Sequence, residues 1–316
     1  MWRRVILSLL GLCVLWATGV AAQGYPTKPI QMIVAFPAGG NTDLMARALA
    51  PGLGKELGQP IVIVNKGGVG GVVGSTDLAR SRPDGYTIML SPNSPLTILP
   101  HQQKLTYTLD SFRFVCLTYD NPFVLAAGPQ APFKTFAEFV TFAKAKPNNV
   151  AYASGGPGSM PHLLFLDIFR QIGAEGVHIP FTGAGPQVQA ILGGTVQVMI
   201  DSPATVSSNN LPLLAVFAAK RLASMPNVPT MQELGLDLKA FSAGGLIVPA
   251  GTPDAVVATL DRACVKATES EGYLGTLAKL KAAARHLPAD RFRELFVEDS
   301  ARNYETIRRA GMLPKP

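Results

Sequence analysis

The segment IQMIVAFPAGGNTD, residues 30–43, decides the fold. It joins an almost continuous apolar run at 30–36 to a glycine-rich turn, and a helical pattern then extends from about residue 42 to residue 57. Apolar runs at 61–64 and 86–90 repeat this arrangement with a shorter helix between them. Continuous apolar runs that alternate with helices are typical of parallel strands covered on both faces. This part of the chain therefore predicts one βαβαβ unit.

A second α/β unit is predicted after an extended stretch at 110–127. Its strands are expected at 150–154, 177–181, 196–201 and 213–218. Helical patterns separate these runs, so the alternation of the first unit recurs.

The C-terminal part has helical patterns at 253–270 and 288–310 and one more strand at 246–248. Thr252 is expected to cap the first of these helices, with Pro253 at its first position. Because these helices have no sheet of their own, we expect them to return and cover the first unit.

The sequence thus predicts an α/β protein of two domains. Domain 1 is expected to be discontinuous, with residues 23–118 plus 220–316, and domain 2 to comprise residues 119–219. The length of 316 residues suits two domains. An apolar share of 47% excludes a disordered chain. A polytopic membrane protein is also excluded, because the one long apolar stretch lies at the N-terminus.

That N-terminal stretch predicts a signal peptide at residues 1–22. Arg3 and Arg4 form a basic start, the apolar run at 5–16 is short for a membrane span, and small residues at 20–22 precede the expected cleavage. A retained membrane anchor is the alternative. The sequence therefore predicts an exported, periplasmic protein.

Charge and cysteine content exclude several other classes. The formal net charge of +7 is spread along the chain without aromatic interleaving, so no nucleic acid partner is expected. The four histidines are isolated and no paired cysteines occur, so neither a metal nor another cofactor is predicted. Cys116 and Cys264 follow the predicted signal peptide; either a disulfide or two free thiols would fit their spacing.

Four glycine-rich loops each connect a predicted strand to a helix start. They lie at 37–43, 65–75, 154–162 and 181–186. Glycine lets the backbone approach a ligand, and a helix start presents unpaired N–H groups with partial positive charge. Each loop alone could be a simple turn, but four loops on two units predict an anion-binding cleft between them. Neither a dinucleotide fingerprint nor a P-loop is present, so a small carboxylate fits best.

Several side chains near these loops are candidates for function. Asp43, just inside a helix start, either compensates the helix dipole or contacts a ligand. Asp201 ends a predicted strand before Ser202, an expected N-cap, and is a candidate for selecting a polar ligand group. His162 lies near Ser154 and Ser159 in the third loop, so an exported hydrolase using one of these serines is the alternative function.

Five motifs carry a resemblance to a known family. They are YPTKPI at 25–30, PAGGNTD at 37–43, NKGGVGG at 65–71, PDGYT at 83–87 and PNVPT at 226–230. In this order they resemble the tripartite tricarboxylate transporter receptors, also called Bug proteins. The resemblance implies a non-enzymatic, monomeric periplasmic binding protein of the type II-like flytrap kind, which closes two lobes over a small carboxylate. Membrane subunits of such a transporter are the implied partners.

The resemblance also implies ligand contacts in the four loops and beside them. In the first domain these are Ala38, Gly39, Gly40, Gly67, Gly68, Gly70, Gly71, Ser91 and Asn93, beside the candidate Asp43 that its position at a helix start suggests. In the second domain they are Ser154, Gly158, Ser159, His162, Thr182, Gly183 and Asp201. Ala38 stands where many members have proline, and Lys66-Gly67 where Arg-Pro is common, so the identity of the carboxylate stays open.

Overall fold

The computed structural model describes residues 24–181, 183–280 and 282–314. The predicted signal peptide lies outside these ranges, as does Thr182. No helix within the described ranges is both long enough and apolar enough to cross a membrane.

The first sheet has six strands in the order β11-β4-β10-β3-β1-β2. The strands are β1 (Ile30–Val34), β2 (Ile61–Asn65), β3 (Thr87–Pro92), β4 (Phe112–Pro122), β10 (Phe241–Pro249) and β11 (Ala284–Pro288). Both β2 and β3 pair with β1 in parallel, which confirms the predicted βαβαβ unit. β10 instead runs antiparallel to β3 and β4.

Six helices accompany this sheet. They are α1 (Asn41–Leu57), α2 (Val72–Ala79), α3 (Ser94–Thr97), α8 (Asp254–Glu269), α9 (Glu271–Lys279) and α10 (Ala289–Arg309). Met45 and Leu49 of α1 share a buried core with Leu260 of α8 and Leu277 of α9. The expectation that the C-terminal helices return to the first unit is therefore confirmed for α8.

The expectations for the strand at 246–248 and for the roles of Thr252 and Pro253 need correction, and two elements were not predicted. The strand expected at 246–248 is the nine-residue β10, and neither α9 nor β11 was anticipated. α8 begins at Asp254 with Pro253 as its N-cap, while the Thr252 hydroxyl donates to the Pro249 carbonyl and does not cap the helix.

A disulfide joins Cys116 of β4 to Cys264 of α8. Both half-cystines are fully buried, and they tie β4 of the first sheet to the helix that packs against it. Of the two alternatives left open by the sequence, the structure has the bonded one.

The second sheet has five strands in the order β7-β6-β8-β5-β9. The strands are β5 (Val124–Ala127), β6 (Val150–Ser154), β7 (Gly176–Pro180), β8 (Val198–Asp201) and β9 (Leu213–Val216). The helices are α4 (Phe136–Ala145), α5 (Met160–Ile172), α6 (Ala184–Leu192) and α7 (Pro203–Ser208). β6 is parallel to β7 and β8, so the loops after these strands emerge at one edge.

The two sheets, each with its helices, are called the first and second lobe below. Only Phe123 separates β4 from β5, and its N–H donates to the Ala240 carbonyl (3.3 Å) while its carbonyl accepts from Phe217 (2.9 Å). The chain passes from the first sheet to the second at Phe123. It leaves the second sheet at the end of β9 and rejoins the first sheet where β10 begins at Phe241. The domain boundaries at 118/119 and 219/220 stay a prediction.

α10 contributes to the cores of both lobes. Phe292 and Phe296 are buried in the core on the first sheet, and Ile307 is buried in the core of the second. The long final helix expected at 288–310 thus exists and connects the two lobes, a role that its amphipathic pattern alone does not indicate.

Candidate functional site

The first two glycine loops lie side by side at the carboxyl edge of the first sheet. The Asn65 side-chain amide donates to the Phe36 carbonyl (3.0 Å) and to Asp43 Oδ1 (2.9 Å). A Cβ at Gly67 would lie 3.3 Å from the Pro37 ring. Parallel strands bring their carboxyl ends to one edge, and these contacts hold both loops there.

Asp43 is the buried centre of this arrangement. Its Oδ2 accepts from the Gly39 N–H (2.8 Å) and from Arg47 Nε (2.8 Å). Burial alone would raise the pKa of Asp43, but the hydrogen bonds from Arg47, Gly39 and Asn65 together lower it. The ionised Asp43 carboxylate therefore fixes the conformation of the first glycine loop through these hydrogen bonds. A direct ligand contact from Asp43 stays a prediction.

The second loop passes through four consecutive residues with positive φ: Gly68, Val69, Gly70 and Gly71. A Cβ at Gly70 would lie 2.9 Å from the Leu99 side chain, and one at Gly71 2.6 Å from Pro95. Two reasons therefore require glycine at 70 and 71: the left-handed backbone and the close approach to the segment after β3.

Ser91 and Asn93, at the end of β3, have internal partners. The Ser91 hydroxyl donates to the Pro92 carbonyl, and the Asn93 amide donates to Asp299 Oδ2 at 2.9 Å. Thr97 Oγ1 donates to the same carboxylate oxygen at 2.7 Å. Ser91 and Asn93 are both buried and hydrogen-bonded within the protein, so they stabilise the segment that follows β3. Asp299 and Thr97 were not found by sequence reasoning, because a buried partnership across some 200 residues has no local signal.

The third loop is organised by histidines in the second lobe. Ser154 Oγ lies 2.6 Å from His178 Nε2, and His162 Nδ1 accepts from the Gly158 N–H at 2.9 Å. The two imidazole rings stack with their centroids 4.1 Å apart. Burial, and secondarily the neighbouring His178, lower the pKa of His162 to about 4. A neutral His162 can accept the Gly158 hydrogen bond, so it shapes the loop.

The hydrolase alternative required His162 beside Ser154 or Ser159. The structure corrects this pairing: Ser154 contacts His178, and the Ser159 hydroxyl donates to the Gly156 carbonyl at 2.8 Å. His162 Nδ1 instead accepts from the Gly158 N–H, so the predicted serine–His162 pair is not the arrangement that the structure has. His178 lies on β7 and contacts Ser154 at the end of the neighbouring strand β6.

Asp201 lies at the same edge of the second sheet as Ser154, because β8 and β6 pair in parallel with Met199 opposite Ala153. Its Oδ1 accepts from the Ser202 N–H (2.6 Å), and Ser202 Oγ accepts from Thr205 N, which confirms the expected N-cap. Burial raises the pKa of Asp201. A carboxyl group of this kind can accept from, or when protonated donate to, a polar ligand group.

The fourth loop leads into α6, with Gly183 as the N-cap residue. A Cβ built at Gly183 would meet nothing within 4 Å, so the space beside it is open. Within the described ranges, no group of three or more His, Cys, Asp or Glu side chains is placed to hold a metal ion.

A contact between the lobes connects the two sets of loops. Gln102 Nε2 of the first lobe donates to the Gly158 carbonyl of the third loop at 2.9 Å. Gln102 follows the short 3-10 helix Leu99–His101, and the Leu99 side chain lies against Gly70 of the second loop. The glycine loops of both lobes therefore lie on the same side of the molecule. Gln102 belongs to no sequence motif and was not predicted as a site residue.

A cavity of about 1060 Å³ lies elsewhere, between α5 and α10. Phe217, Leu238 and Phe241 of the crossing segments are among its lining residues, and no predicted ligand-binding residue lines it. Its charged side chains include matched ion pairs, such as Arg170 with Asp167 and Arg302 with Asp299. We therefore place the candidate ligand site at the glycine loops, because they combine open backbone with helix starts.

Two α/β lobes, crossing backbone segments and opposed glycine loops define a two-lobed solute-binding protein. The matching family model is described as "Tripartite tricarboxylate transporter family receptor" and covers residues 45–312. The chain belongs to this family of tripartite tricarboxylate transporter receptors.

Relatives and solved structures agree with this assignment. The chain is 36% identical to protein BugT of Bordetella pertussis over 304 residues, which covers 93% of each chain. It is similar to the periplasmic binding protein BugD, with a TM-score of 0.81, 28% identity and coverage of 92% and 100% of the two chains. MatC from Rhodopseudomonas palustris, solved with bound malate, has a TM-score of 0.79 at 30% identity, with coverage of 90% and 100%.

Proposed function

We propose that this protein captures a small carboxylate between its lobes in the periplasm and delivers it to the membrane subunits of a tripartite tricarboxylate transporter. The observation that carries the proposal is the placement of the glycine loops of both lobes on one side, connected through Gln102 and Gly158. The malate bound by MatC, a structural relative, supports a carboxylate as the ligand class.

Backbone groups are the proposed anion donors. The first amides of α1, α5 and α6 have no acceptor inside their own helices, and the helix dipoles favour negative charge there. Arg47, whose guanidinium lies beside the first loop, is paired with Asp43. A site built from peptide N–H groups binds carboxylate oxygens by shape and dipole, with no fixed cation required.

Asp201 and Ser154 are the proposed side-chain contacts of the second lobe. They share one edge with Gly183, and the pKa of Asp201 is raised by burial. A poised carboxyl group at this place would favour ligands with a hydroxyl or a second, protonated acid group over simple monocarboxylates.

Lobe closure is the proposed binding step. The first and second lobes would rotate relative to each other about the crossing segments near Phe123 and Ala240. Donors from two lobes converge on one anion only in the closed state, so the ligand shifts the population towards that state. The protein would act as a monomer without catalysis.

Binding is tested by isothermal titration and thermal shift with malate, succinate, citrate and adipate, using the corresponding neutral amides as controls. A carboxylate at one hundred times its Kd should add about 2.7 kcal/mol to the free energy of unfolding. If no acid in the panel raises the melting temperature while the chain is folded, the proposed function is wrong.

A matched pair of variants locates the site. Gly183→Asp places a negative charge beside the fourth loop, and Gly272→Asp places one on α9; a Cβ meets nothing within 4 Å at either position. We expect Gly183→Asp to weaken carboxylate binding at least about tenfold by like-charge repulsion, and Gly272→Asp to leave it unchanged. Equal affinities in both variants would place the site elsewhere.

Export is tested separately. Expression of the full chain in a Gram-negative host should release a periplasmic form whose N-terminal sequence begins at Gln23, after cleavage at Ala22. A chain that keeps residues 1–22 and stays with the membrane fraction would support the retained anchor.

A further inference from the structure

The segment Ser94–Gln102, called the bridging segment below, leaves the end of β3 and reaches the second lobe. Ile98, in its middle, is 1% exposed and belongs to the apolar core of the second lobe. Gln102, at its end, donates to the Gly158 carbonyl in the third glycine loop. One short piece of the first lobe thus contributes both an apolar and a directional polar contact to the other lobe.

The opposite side of the bridging segment is fixed to the first lobe and to α10. Thr97 Oγ1 donates to Asp299 Oδ2 (2.7 Å), and His101 Nε2 lies 2.8 Å from Ser300 Oγ. Leu99 also lies against Gly70 of the second glycine loop. Because these partners are on two different elements, the segment cannot follow the second lobe without disturbing them.

Gly158, which receives the contact, is suited to it in three ways. Its φ is +75°, its N–H is held by His162, and a Cβ at this position would overlap the Gln102 side-chain amide. The Gly158 N–H is therefore bonded to His162 of its own lobe, and the Gly158 carbonyl is bonded to Gln102 of the other lobe.

We propose that Gln102 is a positioning residue for ligand capture, a latch whose amide holds the third glycine loop to the first lobe at the lobe separation of this structure. This inference rests on the proposed function for its role in ligand release, although the latch itself is a property of the free protein. A hydrogen bond between lobes forms only at one lobe separation. Whatever stabilises the Gly155–Ser159 backbone, a bound carboxylate included, then stabilises closure, and closure stabilises the bound ligand in return.

The ligand-free latch is tested by pulsed electron paramagnetic resonance distances between the lobes. Spin labels at Lys55→Cys on α1 and Lys144→Cys on α4 replace exposed residues, and the disulfide cysteines are fully buried. Gln102→Ala removes the donor, and Gln102→Glu replaces it with an acceptor facing the Gly158 carbonyl. Both should shift the distance distribution of the ligand-free protein away from that of the wild-type chain. Gln103→Ala, at the neighbouring residue, is the control and should keep the wild-type distribution.

Ligand release is measured by stopped flow with malate as the probe. In Gln102→Ala we expect malate to dissociate about tenfold faster with little change in its association rate. A residue that merely stabilised the fold would lower the melting temperature without separating these two rates. Identical distance distributions in wild type, Gln102→Ala and Gln102→Glu would overturn the latch. A wild-type chain that binds no carboxylate would refute the proposed function, and the ligand-free distances would still decide the latch.

Discussion

Asn65 joins the second glycine loop to the first by donating from its side-chain amide to Asp43 Oδ1 at 2.9 Å. Asp43 in turn holds the Gly39 N–H and Arg47, so one carboxylate organises two loops and a helix start. The sequence predicts that Asp43 either compensates the helix dipole or contacts a ligand, and the structure adds that it connects the two loops.

Removing this carboxylate should destabilise the protein. In Asp43→Ala the Gly39 N–H, the Arg47 guanidinium and one of the two Asn65 amide contacts lose their charged acceptor, and hydrogen bonds to a charged group contribute about 1.5–3 kcal/mol. Urea unfolding at neutral pH measures the loss. Asp254→Ala is the matched control: it is also an acid in a first helical turn, but its side chain is 93% exposed. Its loss should stay below about 1 kcal/mol. Equal losses would show that the Asp43 network contributes nothing beyond a surface charge.

The disulfide between Cys116 and Cys264 should supply a large part of the stability. It closes a loop with a sequence separation of 148 residues and so restricts the unfolded chain strongly. We expect the double variant Cys116→Ala/Cys264→Ala to lose about 2–5 kcal/mol in urea unfolding. Reductant should lower the unfolding midpoint of the wild-type chain and leave that of the double variant unchanged. The same midpoint for wild type with and without reductant would contradict the bond.

Two glycine-to-alanine changes should act in opposite directions. A Cβ at Gly74 in α2 would lie 2.8 Å from the Ala35 Cβ, so Gly74→Ala forces α2 away from the end of β1. Such overpacking costs about 1–3 kcal/mol. A Cβ at Gly275 inside α9 meets nothing within 4 Å, so Gly275→Ala should stabilise the helix by about 0.5–1 kcal/mol. Thermal unfolding compares the two, and a stabilised Gly74→Ala chain would contradict the packing of α2.

The buried histidines should make stability depend on pH. The pKa of His162 is lowered from 6.5 to about 4, by burial first and by His178 second. Between these values the unfolded chain binds a proton that the folded chain does not, so the free energy of unfolding should fall as the pH is lowered from 6.5 towards 4. The contribution of neutral His162 to the free energy of unfolding is fully present above pH 6.5.

His162→Gln is the test of this pH dependence. Glutamine can accept from the Gly158 N–H but does not titrate, so the variant should show a shallower fall in unfolding free energy over the same pH range. His178 and His101 should still contribute to the pH dependence of the unfolding free energy in this variant, because burial lowers the pKa of both. An unchanged slope in the variant would show that His162 is not the titrating group.

Much of the fold could be predicted because its signals are local. Strands such as β1 and β6 are apolar runs, and the N-cap at Ser202 and the amphipathic α10 depend on residues within a few positions of each other. The misses have weak local patterns. β10 contains Gly244 and Gly245, which strands usually avoid, and α9 contains two glycines within nine residues.

The candidate site divides in the same way. The four glycine loops were visible as strand-to-helix turns, but the partners of their side chains were not. Nothing near Ser154 indicates that His178 is its neighbour, and nothing near Asn93 indicates Asp299.

The sequence by itself determined the α/β architecture, the glycine loops at helix starts and the family, because hydrophobic periodicity and turn chemistry act between near neighbours in the chain. Only the tertiary structure decided that Gln102 meets Gly158, that α10 belongs to both lobes and that Cys116 bonds to Cys264. The two contacts join residues 56 and 148 positions apart, and α10 joins two separate cores. All three depend on how distant elements pack together, which local sequence patterns do not encode.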